Sequence, residues 1–482
     1  MRFLANKEPD MQMNLTKLAS ALLLGSSLVG CAAVVKTPYE QPALNMPGSF
    51  QNNKILSQQI HADLLADQWW TLFKEPQLNN LVNEVLAQNT DLAVAGISLQ
   101  QARIQARQAQ SQQGVRVGDA RISTGHRFSL DGGGDSSTGL SLGYPGLSYE
   151  LDLFGKLANQ TEAARWEALA SEEDLQATAQ SLIGTTAQLY WQLAYLNERY
   201  SVVQQNLATA QKTYDLVRVQ YRAGAVSGLD LTQAEQAIQS QQATLSQIAQ
   251  QRVETRTGLA VLLHMPVQQL AIQEPSRLPN IQLPSIQADL PASLLSRRPD
   301  LRATELRLRK ALANKDANKA SYYPSISLTG NLTTGIGSST SLSNALKNPV
   351  ATLGAGLTLP FLQWNDMKRD LQVNELEYEK AIMQYRQTMY EAFADVENAL
   401  SNRTELTKQV ALQQRNVELA ERTERLTEVR YRNGAVALKN LLDAQETTRN
   451  ARLSLVQTRQ NQYNAYVTLM QALGGSPIKQ LP

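Results

Sequence analysis

Two kinds of residue in this sequence have the types needed for covalent or metal chemistry: a serine in a glycine-flanked motif and three histidines. Gly139-Leu140-Ser141-Leu142-Gly143 matches the G-x-S-x-G pattern of hydrolase nucleophiles, which requires a sharp turn between a strand and a helix. Ser141 instead lies in a stretch of alternating apolar and polar residues that predicts one strand. The histidines are His61, His126 and His264. Because Ser141 lacks the required turn and the histidines lack the spacing of zinc ligands, we predict no enzyme, no cofactor and no metal site.

The single cysteine, Cys31, has a setting that suggests covalent lipid attachment. Lys17 precedes an apolar run over residues 18–24, and Leu28-Val29-Gly30 leads directly to the cysteine. This order resembles a bacterial lipoprotein signal, in which the lipidated cysteine becomes the new N-terminus. We therefore expect a signal peptide at 1–30 and a palmitoyl-type anchor on Cys31.

The interpretation of the N-terminus as a lipoprotein signal has alternatives. An ordinary secretory signal with an incidental cysteine would give the same apolar run, and translation could start at Met1, Met11 or Met13. Ala32 follows the cysteine where an aspartate would resemble the signal for retention in the inner membrane. We accordingly expect sorting to the outer membrane and contact with its lipid.

Charge and hydropathy restrict what else the chain does. Its 482 residues carry a formal net charge of +2, with basic residues scattered through the sequence, so no nucleic-acid footprint is present. After the signal, no stretch approaches the ~20 consecutive apolar residues of a membrane-spanning helix. If the mature chain crosses a membrane, it must therefore do so as strands.

The sequence is internally duplicated. Tyr221-Arg222-Ala223-Gly224-Ala225-Val226 returns as Tyr431-Arg432-Asn433-Gly434-Ala435-Val436, each copy lying between two long helical patterns. Glycine in such a break supplies the left-handed residue that closes a helix. Each copy is therefore predicted to be the tip of a helical hairpin.

Helices are predicted over 77–88, 91–113, 157–221, 229–263, 366–431 and 438–473, with another leading to Tyr322. The helix at 157–221 would be roughly 100 Å long at 1.5 Å per residue. Its predicted core rows have heptad spacing, which is typical of coiled-coil packing. The rows are Leu175, Leu182, Leu189, Leu196, Val203, Ala210 and Val217, and Ala179, Thr186, Leu193, Tyr200, Leu207, Tyr214 and Tyr221.

Four strands are predicted, as one hairpin in each half of the chain. They cover 121–130, 138–153, 325–332 and 351–361, and their apolar residues alternate with polar ones. The second strand changes its apolar phase at Pro145-Gly146, as a bulge or bend would cause. Open sheet edges are excluded from lipid and outer-membrane barrels start at about eight strands, so closure requires other copies of the chain.

Several linked motifs resemble the TolC family of outer-membrane efflux proteins, in its lipoprotein branch. They are the Trp69-Trp70 segment, Tyr149-Glu150-Leu151-Asp152-Leu153-Phe154-Gly155, Arg297-Arg298-Pro299-Asp300-Leu301, Tyr323-Pro324 and the paired tips. The resemblance implies an α + β membrane protein whose homotrimer forms a twelve-stranded outer-membrane β-barrel continuing into a long periplasmic α-helical barrel. It also implies a passive exit duct for drugs or other small toxic compounds, contributing to antibiotic resistance. Its partners would be a periplasmic adaptor (membrane fusion) protein and an inner-membrane pump.

This interpretation divides the chain into segments. They are a signal at 1–30, an extended lipid-anchored segment at 31–76, a first repeat at 77–265, a linker at 266–290, a second repeat at 291–475 and a tail at 476–482. The strand hairpins are expected at about 118–154 and 324–362, and the helical tips at 222–229 and 432–438.

The resemblance also assigns a periplasmic gate to the tips. Asp443 corresponds to a carboxylate ring that would favour cations, while Asn440 replaces a second carboxylate and Val436 replaces an arginine found in some relatives. Asp230 and Tyr431 resemble the acidic and hydroxyl partners of a latch, with Arg430 or Arg432 nearby. The adaptor-contact tips would be Gly224, Ala225, Val226, Gly434, Ala435 and Val436. The alternative is that each aspartate is an ordinary surface residue near a helix start, where the helix dipole favours a negative charge.

A lipid-anchored periplasmic coiled-coil scaffold or adaptor without a channel is the alternative function. It accounts for the helices and the lipid anchor. It leaves four amphipathic strands at matching places in both halves unexplained.

Overall fold

The computed structural model describes residues 35–43, 50, 68–127, 137–280, 292–336 and 350–475. The predicted signal at 1–30, the lipidation residue Cys31, His61 and the tail at 476–482 lie outside the described residues. The chain forms two compact units, the first from residues 1–43, 98–171 and 303–386 and the second from 44–97, 172–302 and 387–482. Each unit takes residues from both sequence repeats, so the repeats are not separate compact units.

Seven helices account for most of the described residues. They are α1 Pro76–Gln88, α2 Thr90–Ser111, α3 Lys156–Arg222, α4 Gly228–Leu262, α5 Pro299–Ser321, α6 Trp364–Arg432 and α7 Leu438–Ala472. Where both ends of a helix were predicted, the observed bounds fall within two residues of the predicted ones. Within the described ranges, no helix is both long and apolar enough to cross a membrane.

The heptad rows of α3 are buried, as the spacing predicts. Leu182, Leu196 and Val203 in one row and Ala179 and Leu193 in the other are at most 7% exposed. Tyr221 at the end of the second row is the exception, since it is 45% exposed. The buried stripe therefore ends at Val217, five residues before the end of α3 at Arg222.

The sheet contains the predicted four-strand pattern, with the second strand divided in two and a two-residue strand added before the first. The strands are β1 Arg116–Val117, β2 Arg121–Arg127, β3 Ser137–Gly143, β4 Leu147–Leu151, β5 Ser325–Ile336 and β6 Val350–Thr358. Both β3 and β4 pair antiparallel with the same edge of β5, and β6 pairs with its other edge. The interruption between β3 and β4 falls at Pro145-Gly146, where the apolar phase switches. There Tyr144 N donates to Leu332 O at 2.9 Å.

Strand register collects the apolar residues of β4, β5 and β6 on one face. Tyr149 lies opposite Leu328, and Leu328 lies opposite Ala355. The other face carries polar or small residues, such as Thr329 opposite Gly354. All nine residues of β6 are exposed, so within the part of the chain that the structure describes nothing covers the β6 part of this apolar face.

The core of the second unit is built around an aromatic cluster. Phe73 stacks on Tyr463 and makes edge contacts with Trp191 and Tyr466. It lies in a short 3-10 helix, Trp69–Phe73, whose two tryptophans are also buried. Residues 69–73 of the predicted extended segment at 31–76 are therefore helical and not extended.

Part of the predicted linker also packs on this second unit. Glu274 lies within salt-bridge distance of Arg252 and Arg256 on α4. Leu278 is 1% exposed, and Arg459 Nη2 donates to its carbonyl oxygen at 3.0 Å. The described residues 266–280 thus form an ordered part of the helical unit.

In the first unit, residues 35–43 form no helix or strand and are held against α5. Thr37 donates from its backbone N–H and its hydroxyl to the two carboxylate oxygens of Asp316, at 2.7 and 2.8 Å. Asp316 lies on α5 and is 2% exposed. A buried carboxylate needs such donors, so Thr37 and Asp316 fix the segment to α5.

Candidate functional site at the hairpin tips

Both hairpin tips close with the same backbone turn. Gly224 and Gly434 have φ angles of 74° and 73°, in the left-handed region. Ala225 N donates to Gln220 O, and Ala435 N donates to Arg430 O, both at 2.9 Å. This is the hydrogen bond of a Schellman helix end, for which glycine is preferred. The prediction that each of these glycines ends a helix in the left-handed region is confirmed.

The helices that follow the tips begin differently. Ser227 and Asp230 form a capping box at the start of α4. Asp230 Oδ2 accepts from Ser227 N at 2.9 Å and from Ser227 Oγ at 2.7 Å. Ala437 precedes α7 and has no side chain that can cap it. Since a capping residue typically contributes ~1 kcal/mol, the start of α4 is more stably capped than the start of α7.

The capping box also changes the acidity of Asp230. The pKa of its carboxyl is lowered, first by the Ser227 hydroxyl and then by the Ser227 backbone N–H. Because the folded pKa lies below the unfolded one, the resulting stability is present above the ordinary pKa of aspartate. It is lost as the pH falls through the lowered value.

Tyr431 joins the two hairpins. Its side chain is 6% exposed and packs in a buried cluster with Val217, Ala234, Leu438 and Leu441. Its hydroxyl donates to Gln220 Oε1 on α3 at 2.6 Å. The equivalent residue of the first tip, Tyr221, is exposed, so the duplication does not extend to this contact.

The hydrogen bonds expected among the latch residues are replaced by others in this protomer. Asp230 is bonded to Ser227, Tyr431 to Gln220, and Arg432 to Glu428 at 2.6 Å. The pKa of Tyr431 is raised, first by burial and then by the negative charge of Asp230. Asp230 and Tyr431 therefore have different hydrogen-bond partners. Arg430 is exposed, and only its carbonyl has a role in the turn.

Asp443 is not a lone carboxylate. Lys439 Nζ donates to its Oδ2 at 2.7 Å from one helical turn earlier on α7. Both side chains are more than half exposed. Asn440, where the family resemblance places a second carboxylate, is also exposed.

The remaining tip residues divide into an exposed set and a packed set. Gly224, Ala225, Gly434 and Ala435 are exposed. Val226 and Val436 are half-buried and pack against the Tyr431 cluster. The valines therefore link the outer surface of the tips to their core.

Sequence reasoning missed three polar contacts at this site. They are Gln220 with Tyr431, Lys439 with Asp443, and Gln445 with Thr213, whose side chains are 3.1 Å apart and buried. Thr213 was detectable, because it lies between Ala210 and Val217 on the inward face of the heptad stripe. The Lys439–Asp443 pair was also detectable, because opposite charges at i and i+4 share one helix face, whereas Gln220 carries no such signal.

Comparison with known proteins identifies this arrangement. A model of the outer membrane efflux protein family matches residues 81–263 and 290–475. The chain belongs to the outer membrane efflux protein family. Its function is that of an outer-membrane exit duct for efflux, and it is not an enzyme. The Ser141 motif accordingly lies in the middle of β3, paired with Ser123 and Gly335.

Individual efflux proteins match over nearly the whole chain. Toxin and drug export protein A of Aggregatibacter actinomycetemcomitans is 28% identical over 460 residues, which cover 95% of this chain and 98% of that protein. The pyoverdine export outer membrane protein OpmQ of Pseudomonas putida is 32% identical over 423 residues, which cover 86% and 89%. Both matches span the two sequence repeats.

A solved structure gives the same result for the fold. The open state of the MtrE outer membrane channel of Neisseria gonorrhoeae matches with a TM-score of 0.79 and 29% identity, covering 93% of this chain and 99% of that one. The predicted combination of a strand region with long helices in an efflux channel fold is confirmed. The channel-free scaffold is set aside, because the family consists of outer-membrane efflux proteins.

Proposed function

We propose that three copies of this chain close their sheets into one twelve-stranded barrel in the outer membrane, with the helices forming a periplasmic tunnel. Drugs or other small toxic compounds would pass through it passively, delivered by an adaptor and an inner-membrane pump. The exporters of toxins, drugs and pyoverdine to which the chain is similar support this cargo class.

The observation that carries the proposal is the uncovered apolar face of the sheet. Leu353 and Leu357 of β6 are 90% and 64% exposed, and Leu147 of β4 is 52% exposed on the same face. Exposing such a face to water costs ~25 cal/mol per Å² of apolar surface. A lipid bilayer would cover the face and remove this cost. β6 has one paired edge within the sheet, to β5. Lipid excludes an unpaired strand edge, and a neighbouring copy would pair it.

A lipid anchor on Cys31 fits the docked N-terminal segment. Val35 is 1% exposed and lies four residues after Cys31, so the anchor is at most ~14 Å from it. Asp316, which holds Thr37, lies nine residues before the start of β5. Helix α5 ends at Ser321, so only residues 322–324 separate it from β5. The segment is thus fixed near the strands that would enter the membrane.

The tips would act as the periplasmic gate and the adaptor contact. Asp443, Asp230, Tyr431, Arg430 and Arg432 lie at or beside the two turns. The Tyr431–Gln220 hydrogen bond and the apolar cluster around it hold the two hairpins of one protomer together. Separation of the hairpins would break that bond and expose the cluster. The exposed glycines and alanines of both turns leave room for an adaptor to approach closely.

Native mass spectrometry of the full-length protein, extracted in detergent, tests both the trimer and the anchor. We expect a complex of three chains, with each chain carrying the added mass of a lipid on residue 31. A Cys31→Ser variant serves as the control and should assemble into the same trimer without the added mass. A monomer, or an unmodified wild-type chain that starts before residue 31, would contradict the proposal.

A further inference from the structure

The second tip carries a lysine beside the carboxylate expected to line the mouth. Lys439 and Asp443 form an ion pair at 2.7 Å, with side chains 74% and 58% exposed. Both therefore point away from the core of their own protomer. Because residues i and i+4 share one helix face, a surface lined by Asp443 is also lined by Lys439.

The charge of the second tip is positive on balance. Between residues 428 and 443, Arg430, Arg432 and Lys439 are cationic, while Glu428 and Asp443 are anionic. Arg432 and Glu428 lie 2.6 Å apart, so their charges largely cancel. Lys439 cancels Asp443 in the same way. The exposed Arg430 remains as one positive charge in excess for each protomer.

The first tip does not offset this charge. Between residues 215 and 230 the ionisable acids and bases balance, with Asp215 and Asp230 against Arg218 and Arg222. Arg218 and Asp215 lie 3.3 Å apart. The net charge of the two tips together is therefore positive.

We infer that the periplasmic mouth favours small anions, with Lys439 as the residue that determines this selectivity. The inference rests on the proposed function, because the trimer places three Lys439–Asp443 pairs and three Arg430 side chains around one opening. Rings of charged side chains set selectivity in pores, acidic rings for cations and basic rings for anions. Asp443 alone would give a cation-selective ring. With Lys439 present, the favoured cargo is small compounds that carry carboxylate or other anionic groups.

Reversal potentials of single channels across a potassium chloride gradient test the inference. We expect the wild-type trimer to favour chloride, and Lys439→Met to shift the reversal potential toward that of a potassium-selective channel, because it removes the counter-charge of Asp443 and the positive excess of the mouth. Methionine keeps the length of the side chain and removes its charge. The shift should be largest at low ionic strength, because salt screens exposed charges.

Lys408→Met provides the matched control. Lys408 is also an exposed lysine paired with a carboxylate, Glu405, at 2.7 Å. It lies 24 residues before Arg432 on α6, which is ~36 Å along a helix. This exceeds the ~10 Å Debye length at 0.1 M salt, so Lys408→Met should leave the reversal potential unchanged.

The outcomes separate this inference from the proposed function. A wild-type current that favours potassium, or one that Lys439→Met does not shift, overturns the role of Lys439 and leaves the channel standing. Inserted trimers that pass no current overturn the channel, and the charge selectivity of its mouth with it.

Discussion

Replacing Leu353 with lysine is expected to prevent stable insertion of the protein into the outer membrane. Leu353 is 90% exposed on the apolar face of the sheet, opposite Gly330 of β5. A lysine on the lipid face of a barrel costs about 2–4 kcal/mol at the bilayer midplane and less toward the interfaces. A trimer would carry this cost three times. Membrane fractionation and heat-modifiable migration in gels should both show loss of the inserted form.

Thr352→Lys is the matched control for Leu353→Lys. Thr352 is the preceding residue of β6, lies opposite Asn331 and belongs to the polar face. Its side chain would face the lumen, where a charge is solvated, so insertion should be retained. Equal loss of insertion in both variants would show that the apolar face does not contact lipid.

Replacing Phe73 with alanine should strongly destabilise the helical unit. Phe73 is fully buried and its ring contacts Trp191, Tyr463 and Tyr466. Truncation of a buried phenylalanine costs about 3–5 kcal/mol, and the lost aromatic contacts are part of that sum. The thermal unfolding temperature, followed by the circular dichroism of the helices, should fall well below that of the wild type.

Asn83→Ala is the control for the Phe73 variant. Asn83 lies on the neighbouring helix α1 and is exposed, and exposed substitutions usually change stability by less than about 0.5 kcal/mol. Its unfolding temperature should match that of the wild type. If Phe73→Ala unfolds at the same temperature as Asn83→Ala, the aromatic cluster does not stabilise the packing of residues 69–73 on the long helices.

The elements that periodicity encodes were predictable from the sequence. Heptad spacing located α3 almost to the residue, and the change of phase at Pro145-Gly146 located the break between β3 and β4. Gly224 and Gly434 marked the tips, because a left-handed turn residue between two helices has few alternatives. In each case the signal is local, so a single sequence contains it.

Contacts between distant segments were not predictable in the same way. The pairing of Thr37 with Asp316 and of Gln220 with Tyr431 joins residues more than 200 positions apart. Nothing in the periodicity around either residue indicates its partner. The strict repeat also suggested equivalent tips, but Ser227 and Ala437 differ as helix caps and Tyr221 and Tyr431 differ in burial. These differences come from side-chain packing between the hairpins, which the duplicated pattern does not specify.

Single-channel recording in planar bilayers tests the central claim, that this chain is an exit duct, most directly. The purified wild-type trimer should give discrete conductance steps after insertion. Tyr431→Phe, which removes the hydrogen bond between the hairpins, should increase the open time or the step size. The account is contradicted if folded, inserted trimers of both the wild type and Tyr431→Phe pass no current.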